Sequence, residues 1–384
     1  MPLMKAETSG LRAGVEARIS REALLGGMNF PITWELYPAM TCNLSCVYCY
    51  NGPKAQELAR TPLPTYSLPD LLSFLNYYAR PGDRISFTGG EPFSRVKWLE
   101  SLIAATENSG FIYSAYTNGT LLEKAPFSLL RHFSQLNVSI DGDEEATDRV
   151  RGEGTFKAIL RNLSAVRSRF TGQIVARMTV TPAGRLPESV QALLEISHFD
   201  LIYWQYQNRA ALDGSFGERQ EAELLALLRF WLARLDEGQV LPLYPFMAMT
   251  GKLLGQRQYP GFPPPFSLGC GAGYNYVQIF TSGDLYACPE LLLHDEALMG
   301  SLKNGLRRRV ELSDFPDNLS CPRCEVLDIC HARCLHFRPL EYCRLIRSSL
   351  NLLKERLPAI RLLIEQGRLS CSDFVLHREL EEMF

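Results

Sequence analysis

The sequence predicts an α/β protein: an open, partial (β/α)6 barrel followed by a cysteine-rich C-terminal domain with flanking helices. Two observations predict this fold. Six strand-like segments alternate with amphipathic segments of helical period, which is typical of a parallel sheet covered by helices. Because six units are too few to close an eight-stranded barrel, we expect an open one. Most of the eleven cysteines also lie in two groups, one at the start of this stretch and one beyond its end.

The first strand is predicted at 33–37, and the others at 84–88, 112–117, 136–141, 174–181 and 201–207. The amphipathic segments between them are 68–78, 97–108, 156–170 and 189–196. Further on, the pattern predicts a long packing helix at 218–237 and another helix at 344–366. A proline-rich stretch at 261–266 marks a domain boundary. The resulting parts are an N-terminal extension at 1–30, a barrel at 31–210, a helical linker at 211–262, a cysteine-rich domain at 263–343 and a C-terminal helical segment at 344–384.

Composition excludes several classes of protein. With 46% hydrophobic and 21% charged residues, the 384-residue chain has the values of a globular protein and not of a disordered one. Its 42 acidic and 40 basic residues give no electrostatic reason to expect binding to nucleic acid or to an anionic membrane. No apolar run has transmembrane length, and residues 1–10 lack the apolar core of a secretory signal. We therefore expect a cytoplasmic protein, in which clustered cysteines indicate metal or cluster ligation and not disulfides.

The first cysteine group follows the first predicted strand. Cys42, Cys46 and Cys49 have the spacing C-x3-C-x2-C. Three thiolates on one tight loop can bind three irons of a [4Fe–4S] cluster and leave the fourth iron open for a small chelating molecule. The spacing alone also fits zinc, or a structural cluster completed by a distant fourth ligand.

Further motifs follow the later strands. They are Thr88-Gly89-Gly90-Glu91-Pro92, Thr117-Asn118-Gly119, Ser139-Ile140-Asp141-Gly142 and Arg151-Gly152. The carboxyl ends of parallel barrel strands are where such folds build their active sites. The paired glycines let the backbone come close to a ligand and expose its amide and carbonyl groups.

In this order behind the three cysteines, the motifs resemble the radical S-adenosylmethionine (radical SAM) enzymes, whose core is a TIM-like partial barrel. The resemblance implies that the open iron binds the amino and carboxylate groups of SAM, and that one electron cleaves SAM to methionine and a 5′-deoxyadenosyl radical. It implies Cys42, Cys46 and Cys49 as cluster ligands, Tyr48 beside adenine, Gly89, Gly90 and Glu91 at the amino group, Ser139 near the ribose, Arg151 facing the carboxylate, and Asn118 and Asp141 in the same cofactor site. Arg177, on the fifth predicted strand, is expected in this cavity or in a structural ion pair.

The second cysteine group reads C-x12-G-x4-C from Cys270 to Cys288, then C-x2-C-x5-C-x3-C from Cys321 to Cys334, then Cys343. It resembles the SPASM extension of peptide- and protein-modifying radical SAM enzymes. The resemblance implies two auxiliary [4Fe–4S] clusters, a distal one held by Cys321, Cys324, Cys330 and Cys343 and an inner one held by Cys270, Cys288 and Cys334. One or two zinc sites, with His331 and His336 nearby, are the alternative.

Two departures from the family pattern concern the inner cluster. Relatives with a complete inner cluster carry another cysteine shortly before the position of Cys270, and this chain has none there. One iron of the inner cluster is then open, or another residue supplies the fourth ligand. Cys371 is one candidate for that ligand; the alternative is that Cys371 is an ordinary buried thiol. In anaerobic sulfatase-maturating enzymes an aspartate base follows the position of Cys288. Here Pro289 and then Glu290 follow, and proline cannot accept a proton, which disfavours that activity. Glu290 is then the candidate catalytic residue; the alternative is that it is an exposed or salt-bridged glutamate.

The resemblance thus implies an oxidoreductase-type maturase that abstracts hydrogen from a ribosomally made peptide or a protein, for oxidative crosslinking or a similar modification. Its cofactors are SAM, one SAM-binding cluster and two auxiliary clusters. Its expected partners are the peptide, a separate peptide-recognition protein and a reductant such as ferredoxin or flavodoxin. Tyr203, Gln205, Gln207 and Asn208 are candidates for the substrate mouth, and Arg307–Arg309 for an acidic leader or a solvated turn. The alternatives are a small-molecule radical SAM enzyme and a non-catalytic zinc or redox scaffold.

Overall fold

The computed structural model describes residues 18–207, 214–256, 269–311, 314, 321–332, 334 and 340–374. Residues 1–17 of the expected N-terminal extension, Asn208, the proline-rich stretch and His336 lie outside this part of the chain. No helix in the described part is both long and apolar enough to cross a bilayer.

The described strands form a single mixed sheet. They are β1 Thr33–Ala39, β2 Arg84–Gly89, β3 Ile112–Thr117, β4 Phe133–Ser139, β5 Gln173–Val180, β6 Leu201–Tyr206, β7 Tyr276–Ile279, β8 Asp284–Tyr286, β9 Leu298–Ser301 and β10 Gly305–Leu306. Strands β1 to β6 are parallel and adjacent in chain order, which confirms the predicted partial barrel. On the other side of β1, β7 pairs in parallel, and β8 to β10 continue antiparallel. The cysteine-rich region therefore shares its sheet with the barrel.

Helices cover the outer face of this sheet and pack beyond its β6 edge. They are α1 Arg21–Leu24, α2 Ala55–Leu58, α3 Leu68–Tyr78, α4 Val96–Thr106, α5 Phe127–Leu130, α6 Glu144–Arg151, α7 Thr155–Arg167, α8 Leu186–Leu194, α9 Gly214–Asp236, α10 Tyr244–Leu253, α11 Leu327–Cys330 and α12 Leu340–Glu365. Helix α3 has the predicted bounds because Ser67 and Asp70 form a capping box and proline occupies its first turn. The two long helices, α9 and α12, begin four residues before their predicted starts, so Cys343 lies on α12.

The two faces of the sheet differ in polarity. On β1, Trp34 faces the helices and packs edge-on against Phe74 of α3 at 5.5 Å between ring centroids. Glu35 therefore faces the opposite, inner side, and it is 2% exposed. Its register neighbours across the sheet are also polar: Gln278, Ser86, Ser114, Gln135 and Gln173. Because buried parallel strands are usually apolar on both faces, this inner face is suited to a polar occupant.

Candidate active site

The first cysteine group lies on a tight loop that follows β1. The Cys49 amide donates to the Cys46 carbonyl at 3.1 Å, and the Leu44 amide donates to the Cys42 sulfur at 3.4 Å. Burial raises the pKa of the Cys42 and Cys46 thiols, and the neighbouring thiols raise it further. Such a set of mutually repelling thiolates fits a cationic centre, which stabilises their deprotonated form. The three predicted ligands are thus brought together on one loop.

The thiol groups do not converge on a single ion. In the described part of the chain, no three His, Cys, Asp or Glu side chains form a group that could hold one metal ion. In a [4Fe–4S] cluster each thiolate binds a different iron, so its ligands surround a larger body.

The two glycines of the second motif bring β2 against the cysteine loop. A Cβ atom on Gly90 would lie 2.1 Å from the Thr41 carbonyl oxygen, and one on Gly89 would lie 2.4 Å from the Ala39 oxygen. The Gly90 and Glu91 amides donate to those same carbonyls, of Ala39 and Thr41, at 2.9 and 3.0 Å. The glycine backbone, expected to come close to a ligand, thus lies against the cysteine loop. The Gly90 and Glu91 amides already donate hydrogen bonds to that loop.

Glu91 is fully buried and joins the segment after β2 to the end of β3. Its carboxylate accepts from the Thr117 hydroxyl at 2.8 Å, the Asn118 amide at 2.7 Å and the Phe93 amide at 3.0 Å. Burial nevertheless raises its pKa to about 7, because these hydrogen bonds only partly offset desolvation. Glu91 therefore fixes the ends of β2 and β3 relative to each other.

Asn118 reaches the cysteine loop directly. Its side-chain nitrogen lies 3.6 Å from the Cys42 sulfur and donates to the Asn43 side chain at 2.9 Å. Its side-chain oxygen accepts from the Thr120 amide at 2.9 Å, which fixes the orientation of the Asn118 amide. Asn118, predicted in the cofactor site, therefore contacts Cys42, one of the predicted cluster ligands.

Asp141, Arg151 and Tyr48 form a buried cluster beneath the loop. Arg151 Nε donates to Asp141 Oδ2 at 2.6 Å, and the Tyr48 hydroxyl donates to the same oxygen at 2.7 Å. The Thr179 amide donates to Asp141 Oδ1 at 2.8 Å. Arg151 is 6% exposed and lies 5.3 Å from the centre of the Tyr48 ring. The guanidinium predicted to face the SAM carboxylate is therefore paired with Asp141, and the pair holds the cysteine loop through Tyr48.

Ser139 and Arg177 are register neighbours on β4 and β5, both half-buried on the inner side. The Arg177 guanidinium lies 4.0 Å from the centre of the Tyr203 ring and donates to Gln205 at 2.8 Å. Its partners are thus an aromatic ring and an amide, and not the carboxylate of the expected ion pair. Two of the proposed mouth residues, Tyr203 and Gln205, lie beside it.

Four cysteines of the second group line one apolar cavity. They are Cys321, Cys324, Cys330 and Cys343, which come from the 321–330 segment and from α12. The structure therefore brings together the four residues predicted for a distal site. Val326, Leu327, Ile346 and Tyr342 complete much of the lining.

The other three cysteines lie together around Cys288. Burial raises the pKa of the Cys288 thiol, and the charges of Cys334, Cys270 and Glu290 raise it further. Glu290 is half-buried, whereas Cys371 is exposed in a turn held by Gln256 at 2.6 Å. Cys371 is therefore not the buried thiol that was one expectation, and Glu290 is the acidic neighbour of the inner group.

Two residues that sequence reasoning missed connect the cysteine regions. Lys54, just after the first cysteine loop, donates to the Glu290 and Leu292 carbonyls at 2.8 and 3.0 Å. Tyr50 is half-buried, and its raised pKa results first from desolvation and then from the charges of Glu35, Cys49 and Glu290. Its position directly after Cys49 was the available signal. By contrast, Arg308 and Arg309 pair with Asp314 and Glu311, as expected of a surface turn.

Comparisons with known proteins agree with this geometry. The radical SAM superfamily model matches residues 36–195. The mycofactocin maturase MftC of Mycolicibacterium smegmatis is 29% identical over 336 residues, which are 80% of this chain and 79% of that protein.

Two solved structures share the fold at low identity. Native anSMEcpe with bound AdoMet and Cp18Cys peptide has a TM-score of 0.68 at 17% identity, over 87% of this chain and 100% of that one. Streptococcus suis SuiB bound to precursor peptide SuiA has a TM-score of 0.56 at 17% identity, over 84% of this chain and 78% of that one. The chain therefore carries a radical SAM domain at residues 36–195, and along 80% of its length it is similar to a maturase.

Proposed function

We propose that this protein is a peptide-modifying maturase that binds SAM at the first cysteine loop and acts on a ribosomally made peptide or a protein. The observation that carries the proposal is the shared sheet: β7 from the cysteine-rich region pairs with β1, directly before the cysteine loop. The cysteine groups of both regions thus belong to one folded unit. When bound, the first cluster and SAM supply a 5′-deoxyadenosyl radical by one-electron cleavage of the sulfonium.

The chain's own residues hold this site rigid. Asp141 and Arg151 fix Tyr48, which lies between two of the cluster ligands in sequence, so we propose Arg151 as a positioning residue. Tyr48, Gly89, Gly90, Glu91, Asn118, Ser139, Asp141 and Arg177 remain the proposed residues of the SAM site. Of these, Ser139 and Arg177 are half-buried on the inner side, where a polar ligand would meet them.

We propose two auxiliary [4Fe–4S] clusters in the second cysteine group. The distal one uses Cys321, Cys324, Cys330 and Cys343, and the shared apolar cavity supports this set. The inner one uses Cys270, Cys288 and Cys334, and their mutual charge effects on Cys288 support it. These clusters would take an electron from the substrate and give a net oxidation such as a crosslink.

The proposed substrate is a peptide because the related MftC is a maturase and because SuiB and anSMEcpe are solved with peptides bound. Tyr203, Gln205 and Gln207 would line its path at the end of β6. Pro289 after Cys288 has no proton acceptor, which speaks against sulfatase maturation. Glu290 is the proposed catalytic carboxylate, close enough to Tyr50 and Cys288 to act on the pKa of both.

We further propose a cytoplasmic location, a separate peptide-recognition protein and a ferredoxin or flavodoxin as reductant. The near-neutral net charge of −2 is the reason to expect no nucleic acid among the partners. Pull-down from an anaerobic lysate with the tagged holoenzyme would test the recognition protein, and reduction by purified flavodoxin would test the electron donor.

Anaerobic reconstitution with iron and sulfide tests the proposal. We expect about twelve irons per chain from three four-iron clusters, and 5′-deoxyadenosine after addition of dithionite and SAM. The variant C42A/C46A/C49A should keep about eight irons and form no 5′-deoxyadenosine. With a precursor peptide encoded beside the gene, mass spectrometry should show loss of two hydrogens. About four irons in the wild type, or bound zinc, would remove the auxiliary clusters from the proposal.

A further inference from the structure

The cavity of the four distal cysteines contains one basic side chain, Arg347. It follows Cys343 by four residues on α12, so the two side chains share a helix face. Arg347 Nη2 donates to the Cys324 sulfur at 3.4 Å. The guanidinium thus points at one of the four proposed cluster ligands, within a lining that is otherwise largely apolar.

This contact is separate from the contacts that dock the helix. Arg344 pairs with Glu221 of α9 at 2.8 Å, and Ser348 also donates to Glu221. The only acidic partner recorded for Arg347 in the described residues is Glu325, at 3.9 Å, and both side chains are about half exposed or more. Exposed pairs at that distance add little stability. The position of Arg347 is therefore explained better by the thiolate than by helix packing.

We propose that Arg347 is a positioning residue that raises the reduction potential of the distal auxiliary cluster; this rests on the proposed function, which includes that cluster. Reduction adds one electron, and so one negative charge, to the cluster and its thiolates. A cationic N–H donor beside a ligand sulfur stabilises the more negative state, and hydrogen bonds to the sulfurs are a known determinant of such potentials. The apolar lining strengthens the effect, since it reduces screening by solvent.

Anaerobic redox titration of the reconstituted holoenzyme, followed by EPR, tests the proposal. The C321A/C324A/C343A variant first assigns the distal signal, because it removes three of the four proposed ligands and should lose that signal alone. Arg347→Gln should lower the distal potential so that reduction becomes at least tenfold less favourable, about 59 mV for one electron. Arg347→Lys should lower it less, because lysine keeps the charge but lacks the planar fork. Raised salt should shrink both differences, since Arg347 is half exposed.

Arg361→Gln is the matched control. Arg361 is an exposed arginine on the same helix, about 21 Å further along by the helical rise. Its removal should leave all three potentials unchanged. If Arg347→Gln binds its full complement of iron and its distal cluster keeps the wild-type reduction potential, the inference is overturned.

If Arg347→Gln fails to take up iron, Arg347→Lys decides: a lowered potential supports the inference and a wild-type potential refutes it. If C321A/C324A/C343A removes neither iron nor signal, no distal cluster exists, and it is then the auxiliary-cluster part of the proposed function that fails.

Discussion

Replacing Asp141 by asparagine is expected to release the first cysteine loop. Asp141 accepts hydrogen bonds from Arg151, Tyr48 and the Thr179 amide, and both Asp141 and Arg151 are buried. Asparagine has the same shape but no charge, and its side-chain nitrogen cannot accept. Removing one member of a buried ion pair typically costs about 3–5 kcal/mol because the other charge remains buried and unpaired.

The effect should be largest in the loop that Tyr48 belongs to. The Val47 amide donates to the Val150 carbonyl at 2.9 Å, so its hydrogen exchange reports on the contact between this loop and α6. In the metal-free chain, Asp141→Asn should lower the free energy of opening at Val47 by about 3 kcal/mol. If the wild-type value is smaller than that, the Val47 amide should exchange as fast as an unprotected one. Tyr48→Phe, which removes one hydrogen bond to a charged group, should lower it by about 1.5 kcal/mol.

Asp143→Asn is the control for this experiment. Asp143 lies two residues further on and caps the N-terminus of α6, where its side chain accepts from the Ala146 amide at 2.8 Å. Asparagine caps helices about as well as aspartate, so this variant should exchange like the wild type. After reconstitution, Asp141→Asn alone should lose about four irons. Wild-type exchange at Val47 together with a full iron content in Asp141→Asn would refute the reasoning.

Three further predictions concern residues that hold the same region together. Because burial raises the pKa of Glu91 to about 7, well above the ordinary 4.5, the folded metal-free chain retains a proton that the unfolded chain releases. Its stability should therefore fall by about 3 kcal/mol as pH rises from below 4.5 to above 7, and urea unfolding of Glu91→Gln should lack this slope. Gly90→Ala should displace the cysteine loop and lose about four irons, because its Cβ would clash with the Thr41 carbonyl. Gly52→Ala, with open space around its Cβ, should keep them, and equal iron in both variants would contradict that clash. Lys54→Met should increase hydrogen exchange at residues 289–292 without loss of iron, and unchanged exchange there would show that its two hydrogen bonds are dispensable.

Much of the barrel was predictable because its outer face keeps a regular apolar period. The strand β3 and the helix α3 have their predicted bounds. The predicted strand 136–141 begins three residues later and ends two residues later than β4, because the polar residues Ser134 and Gln135 interrupt the apolar pattern at its start. Helix α6 was missed because its sequence EEATDRVR is almost entirely polar.

Motif order predicted a set of site residues, but it did not predict which side chains they contact. Arg151 was expected at the SAM carboxylate, and the structure pairs it with Asp141. The two lie ten residues apart, and only the path of the chain through α6 brings them together. Likewise, no local pattern indicates that β7 pairs with β1, since β7 has only four residues and its partner lies about 240 positions earlier. Contacts at such separations depend on topology, which local pattern does not contain.

The inner face of the sheet indicates what the two regions accomplish together. Gln278 of β7 accepts from Tyr37 of β1 at 2.6 Å, yet its side-chain nitrogen has no partner among the described residues, and the same holds for the side-chain oxygen of Asn137. Buried polar atoms without partners are costly, so these positions favour an occupant that hydrogen-bonds with them. Since β7 supplies Gln278 from the cysteine-rich region, the inner face is complete only when both regions are folded. The lumen that would receive a polar substrate is therefore a joint product of the barrel and the cysteine-rich extension.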